Sequence, residues 1–363
     1  MSVHPSLIGG RHQWDPDILP RDEFDDRQQT LRERLRDHGG APLVVYGDAR
    51  DFADLAHLSH FVPRSRWGLL LLPATGAARL VSSWGPRDLP AQRAMTCVQD
   101  VYAAPQLAEA FQGWAEAHRN MPLLIVGAAR MPAPLYDRIL NATGNPADVA
   151  QVDDIAAEAR SVRRPRQIMQ IKRTCAMLAR AVDAARREAS ASGRAASAAN
   201  AALNSAWSQG ATDVRCMLAG TDGRFVPRDA WRNDGSEATL YLAVLAGAAW
   251  ADHYVPLGQP AEERSIRAAL EKGARALSAD RPAADAVAAL KAALGAGQTR
   301  APGGAGRILG YSLDEDRVSS SATRPARRGE IVVLHAGRRE NGRTTFASLF
   351  VEVGNANPPF VPA

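Results

Sequence analysis

The sequence is poor in lysine, cysteine and aromatic residues, and it has no long apolar run. Lysine occurs only at Lys172, Lys272 and Lys291, so arginine supplies nearly all of the 44 basic residues. The formal charge is +5, but it is dispersed, and no basic stretch is interleaved with aromatics. That pattern argues against nucleic acid as a partner. Three cysteines, Cys97, Cys175 and Cys216, lie far apart without metal-type spacing. An odd, scattered set excludes a disulfide framework and fits small buried thiols in a reducing cytoplasm. Apolar runs such as 67–73 are too short to span a bilayer, and MSVHPSLIGGRHQWDPD lacks a hydrophobic signal core. The expectation is therefore a cytoplasmic protein with no membrane partner.

What is present is globular: 46% hydrophobic and 23% charged residues over 363 positions, enough for two domains that each bury a core. Residues 1–20 form a polar, proline-marked arm whose Trp14 is expected to dock on this chain or on a partner. Beyond it the first half alternates apolar strand patterns (42–47, 67–73, 77–83, 97–102, 123–127, 149–152) with helical ones (21–38, 51–60, 106–118, 132–142, 154–162). This is an α/β domain, residues 1–160. The basic, proline-containing point Arg163-Arg164-Pro165 separates it from a second domain, residues 161–363. There, long helices at 166–190 and 195–209 precede strands at 214–219, 241–258, 330–335 and 344–353. Helices at 263–277 and 283–294 lie between the strands, giving an α+β half with a mainly antiparallel sheet.

The stretch 241–258, YLAVLAGAAWADHYVPLG, reads as a hairpin turning at Gly247, Ala248 and Ala249. Its second arm carries one acid, Asp252, and one histidine, His253. Adjacent strand residues point to opposite faces, so an inward Asp252 sends His253 the other way. The run Ser319-Ser320-Ser321 lacks a nucleophile elbow. The glycines at 303, 304 and 306 precede no clear helix start, which argues against a phosphate loop.

The order of elements resembles the creatinase/prolidase superfamily, whose catalytic domain has the pita-bread fold. The match is carried by DLAHLSHFVPRSRWGLLLLP, RSVRRPRQIMQIKRTCAMLARAVDAA, MLAGTDGRF, WADHYVPLGQP, RRGEIVVLHAG and FASLFVEVGN, which together reach across nearly the whole chain. The resemblance implies a creatinase-type N-terminal α/β domain followed by a pita-bread domain. It also implies a homodimer in which N-terminal residues such as His60, Arg64 or Arg66 close a partner's pocket.

In that family two divalent ions are held by two aspartates, a histidine and two glutamates. Carried over, the first aspartate falls on Tyr241 and the second stays acidic as Asp252. The histidine falls on Arg307, the first glutamate on His335 and the second on Ala347. Two hard cations need several anionic oxygens, and a guanidinium has no lone pair to donate. The resemblance therefore implies a centre with no metal and no cofactor. Creatinase, which works without metal, uses a histidine that falls here on Phe225, so its chemistry is not carried over either.

Two readings remain. In one, the protein is a metal-independent enzyme acting on a small polar, amino-acid-derived molecule at a C–N or amide bond. His335 would be the acid/base, Asp252 its orienting partner and Arg307 the anion grip. Tyr241, Asp314 and Phe225 would contact the substrate. In the other, it is a pseudo-peptidase that binds or scaffolds, with Arg307 plugging Asp252, His335 hydrogen-bonded in the core, Tyr241 packing, and Asp314 and Glu315 in a solvated loop. An open pocket lined by Asp252, Arg307 and His335 would favour the first. A centre filled by Trp250, Phe225 or the Arg307 stem would favour the second.

Overall fold

The computed structural model describes residues 12–354 apart from 65, 119–120, 147, 234, 259, 280, 314–316 and 320–324. The chain divides into two compact units, Met1–Arg164 and Pro165–Ala363. No helix among the described residues is long and apolar enough to cross a membrane.

The first unit is built on a six-stranded mixed sheet ordered β4-β3-β2-β1-β5-β6. The strands are β1 (Leu43–Asp48), β2 (Trp67–Leu72), β3 (Arg79–Ser82), β4 (Asp100–Ala103), β5 (Leu123–Val126) and β6 (Val149–Gln151). Its strands read as continuous apolar runs because both faces are covered. Leu43, Val45, Leu70 and Leu72 pack under helices α1 (Arg21–Arg34), α2 (Ala53–Ser59) and α4 (Asp153–Ser161). Val44, Tyr46, Leu69 and Leu71 pack on the other side, where α3 (Ala133–Ala142) lies. The continuous helix expected over 106–118 is instead two short turns, Leu107–Ala110 and Trp114–Ala117. Gly113 adopts φ 75° between them, and a left-handed residue cannot continue a right-handed helix. Trp14 docks within its own unit: its indole Nε1 donates to Leu19 O at 2.7 Å.

The second unit opens with α5 (Pro165–Ser192) and α6 (Ala195–Ser208). One four-stranded sheet follows, ordered β10-β9-β7-β8, from β7 (Asp213–Ala219), β8 (Phe225–Pro227), β9 (Ala238–Ala246) and β10 (Ala249–Leu257). Helices α7 (Pro260–Ala276) and α8 (Ala284–Leu294) lead to a second sheet of β11 (Gln298–Thr299), β12 (Gly306–Ile308), β13 (Ile331–Glu340) and β14 (Arg343–Glu352). Leu178 and Val182 of α5 and Ala198 and Ala202 of α6 share a core with Leu240, Leu242 and Val244. Helices α7 and α8 cover Leu334, Ala336, Ala347 and Leu349 of the second sheet.

Two hairpins set the registers that matter. Gly247 and Ala248 join β9 to β10 with φ of 52° and 64°, and Asn341-Gly342 join β13 to β14 with φ of 50° and 75°. Positive φ at both central residues is the two-residue turn that follows the right-handed strand twist. A Cβ at Gly247 would overlap the Gln170 amide, which donates to Ala246 O at 3.1 Å. Gly247→Ala therefore combines left-handed strain with loss of a buried hydrogen bond. The expected cost is about 2–3 kcal/mol, read by chemical denaturation.

Candidate functional site

The hairpin β9–β10 pairs Tyr241 with Tyr254 and Asp252 with Ala243. Strand alternation therefore puts Tyr241, Asp252 and Tyr254 on one face and His253 on the other. His253 indeed packs against Phe350 at 5.3 Å and lines a cleft with Asp183, Arg186 and Glu263. Burial pushes its imidazole down to about 3.

Arg307 comes from the short strand β12 and His335 from the middle of β13, paired two residues apart in register (Arg307 with Val333). The second unit brings Tyr241, Asp252, Arg307 and His335 together. Asp252 is 1% exposed, His335 2% and Arg307 5%. One Asp252 oxygen, Oδ1, forms an ion pair with Arg307 Nη2. The other, Oδ2, accepts from the Tyr241 hydroxyl at 3.2 Å and faces His335 Nε2 at 3.4 Å. Arg307 Nη1 donates to Leu313 O at 2.5 Å, while its Nε has no acceptor among the described residues.

Electrostatics follow from this enclosure. Burial alone would raise the Asp252 pKa. Arg307, His335 and the Tyr241 hydrogen bond together outweigh it, so Asp252 is held well below the usual carboxylate range. Burial, and then the Asp252 charge, push the Tyr241 phenol well above its ordinary value, so it keeps the proton it donates. Burial likewise raises Tyr254 to about 12, and its hydroxyl accepts from Gly303 N–H at 3.2 Å.

Phe225 sits on β8 among aromatic rings. Its centroid lies 5.5 Å from Tyr254, 5.5 Å from Phe346 and 6.4 Å from Tyr241, so these rings pack on one another, with Tyr254 also meeting the His335 ring at 5.0 Å. Trp250 is held elsewhere, under the Arg215 guanidinium at 4.7 Å. Asp314 and Glu315 lie outside the described residues. His60, expected from the resemblance to reach a partner, is 3% exposed and stacked on His12 at 4.7 Å inside its own unit, so it cannot close a partner's pocket.

The position assigned to a second glutamate needs correcting. Ala347 faces α7 and α8 with Leu349 and Val351. The residue opposite His335 across the β13–β14 ladder is Ser348. Its hydroxyl lies 2.8 Å from His335 Nδ1 and accepts from Tyr254 N–H at 2.9 Å. With that N–H filling one lone pair, the hydroxyl proton is free to go to Nδ1, which places the ring proton on Nε2, toward Asp252. The signal was in the strand itself: in FASLFVEV, Phe346, Ser348 and Phe350 alternate with Ala347, Leu349 and Val351. Ser348 is the buried polar residue between Phe346 and Phe350 in the stripe that faces away from α7 and α8, whose other polar member in that stretch, Glu352, pairs with Lys172.

A dinuclear metal centre does not fit these residues. Among the described residues, a guanidinium, a protonated phenol, an imidazole and a serine hydroxyl stand around the centre, leaving a single carboxylate whose Oδ1 already faces a fixed cation.

At the level of sequence, no family model and no curated protein matches the chain. Solved structures do. The prolidase from Pyrococcus horikoshii OT3 superposes with a TM-score of 0.69 at 15% identity, covering 90% of this chain and 95% of that one. The Xaa-Pro dipeptidase from Bacillus anthracis gives 0.70 at 12%, covering 91% and 95%. The dipeptidase PepE from Mycobacterium ulcerans gives 0.64 at 18%, covering 92% and 94%. At these identities the likeness is one of fold, and it agrees with the fold expected from the sequence: the chain carries the two-domain pita-bread fold of these prolidases and dipeptidases.

Proposed function

We propose that this chain is a catalytically silent pita-bread protein with a binding or scaffolding role, in which Arg307 serves as the structural counter-ion of Asp252. The observation that carries this reading is the enclosure of Asp252. Both of its oxygens and both nitrogens of His335 are engaged by protein groups, and all three charged or titratable side chains are at most 5% exposed. A general acid–base needs a nitrogen or oxygen within reach of the substrate proton, and here each faces another side chain. The rings of Tyr241 and Tyr254, 4.9 Å apart, contact Asp252 and His335 respectively and support the same reading. The expected result with Xaa-Pro dipeptides, after incubation with Mn2+ or Co2+, is no hydrolysis above background and no stoichiometric metal after dialysis. Metal-dependent turnover that disappears in Asp252→Asn would overturn the proposal.

The second reading is a metal-independent enzyme acting at a C–N bond. One observation favours it: Ser348, His335 and Asp252 form a continuous relay next to a guanidinium whose Nε lacks an acceptor among the described residues. It predicts metal-free turnover of a small amide or amidine that is lost in His335→Gln with the fold intact. A homodimer in a reducing cytoplasm belongs to either reading, and light scattering should give the mass of two chains.

A further inference from the structure

A cavity of about 460 Å3 lies between α8 and the loop that leads into β12, with His335 and Gly304 among the residues at its edge. Its walls mix apolar, cationic and neutral polar groups, the last from Gln298, Thr299, Ser319 and His335. Leu290 and Leu294 from the buried face of α8, with Val318, supply an apolar floor. Lys291 and Arg300 stand exposed at the rim. No aspartate or glutamate lines the cavity among the described residues.

Several other cations of this unit are ion-paired, while others, such as Lys272 and Arg339, have no acidic partner among the described residues either. Lys172 pairs with Glu352 at 2.7 Å, Arg186 with Glu263 at 2.5 Å and Arg338 with Glu340 at 3.2 Å. Lys291 and Arg300 have no such acidic partner among the described residues. Two uncompensated cations beside an apolar floor raise the local concentration of anions. The floor disfavours a compact, strongly hydrated anion, which would lose water there and gain nothing. The volume lies within the usual range of small-molecule sites, about 300–1,000 Å3.

We propose that this cavity binds a monocarboxylate with an apolar body, its headgroup between Lys291 and Arg300 and its chain on Leu290, Leu294 and Val318. Arg317 lines the same cavity, and the proposal does not need its charge. The cavity shares His335 at its edge with the Asp252 centre, and the two readings are tested apart: octanoate binding reports on the cavity, dipeptide turnover on the centre.

The test is calorimetric titration of the full chain at low ionic strength with octanoate, octan-1-ol and inorganic phosphate. The expected result is one saturable octanoate site that weakens with salt, with octan-1-ol and phosphate each weaker by roughly tenfold or more. Lys291→Glu with Arg300→Glu should weaken octanoate by about tenfold at unchanged Tm, because both residues are exposed. Leu290→Trp should fill the floor and reduce octanoate and octan-1-ol alike; melting and circular dichroism of that variant report whether it is folded. Absence of octanoate binding, equal affinity for octanoate and octan-1-ol, phosphate as tight as octanoate, or indifference to the charge reversal would each overturn the assignment.

Discussion

Arg307→Met should lower the stability of the protein by about 3–5 kcal/mol near neutral pH, the range for stranding one partner of a buried pair. The substitution keeps most of the side-chain volume but leaves the Asp252 carboxylate, 1% exposed, with only the Tyr241 hydroxyl and His335 for company. The pH dependence should change sign as well. In the intact protein the Asp252 pKa is depressed from 3.8, so its contribution is present above that value and lost as pH falls through the depressed one. Without the guanidinium, burial dominates and raises the pKa, and the folded state then takes up a proton before the unfolded chain does. The deficit of Arg307→Met relative to the intact protein should therefore shrink between pH 7 and pH 5. Urea unfolding at both values reads this directly, and a variant as stable as the parent at pH 7 would show that Asp252 needs no counter-ion.

A second large effect is expected in the first unit on mild acidification. His12, His57 and His60 are 2%, 4% and 3% exposed. Burial pushes His12 down to about 4, with Arg64 adding to the shift and the His60 carbonyl, 2.8 Å from Nε2, opposing it. Burial, then Arg27, Arg160 and neighbouring arginines, push His57 well down. Burial and the stacked His12 do the same to His60. A histidine with a lowered folded pKa contributes stability that is complete above the unfolded value of 6.5 and is lost as pH falls below it. For His12 alone the loss between pH 6.5 and pH 4 is about 3 kcal/mol. The protection factors of the α2 and β1 amides against hydrogen exchange should fall from pH 7 to pH 5. His12→Gln with His60→Asn should flatten that dependence. Asparagine suits position 60 because the residue sits at φ 60°, where asparagine is tolerated. Constant protection in the parent between these pH values would contradict the account.

The hairpin 241–258 was legible because alternation and a small-residue turn both point to it, and the chain turns there at Gly247-Ala248. The convergence of Tyr241, Asp252, Arg307 and His335 was legible only through the order and spacing of several weak motifs, since these residues come from four strands in two sheets. Ser348 was missed for a physical reason. A strand has period two, so a one-residue slip toward Ala347 exchanges the face turned to His335 for the face under α7 and α8. The aromatic ring cluster was also hidden. Phe225, Tyr254 and Phe346 are far apart in sequence, and nothing local marks them as neighbours. Gly113 shows the opposite case, a breaker visible in the sequence but outweighed by the helical pattern around it.

The account rests on a guanidinium–carboxylate pair holding the centre of the pita-bread unit together. The most direct test is a double-mutant cycle with Asp252→Leu, Arg307→Met and the two combined, followed by urea unfolding at pH 7. If the pair is structural, each single change leaves a buried charge unpaired, and the double variant should recover at least about 2 kcal/mol of the summed losses. Losses that simply add would mean that the two charges do not hold each other, and the account would be wrong at its centre.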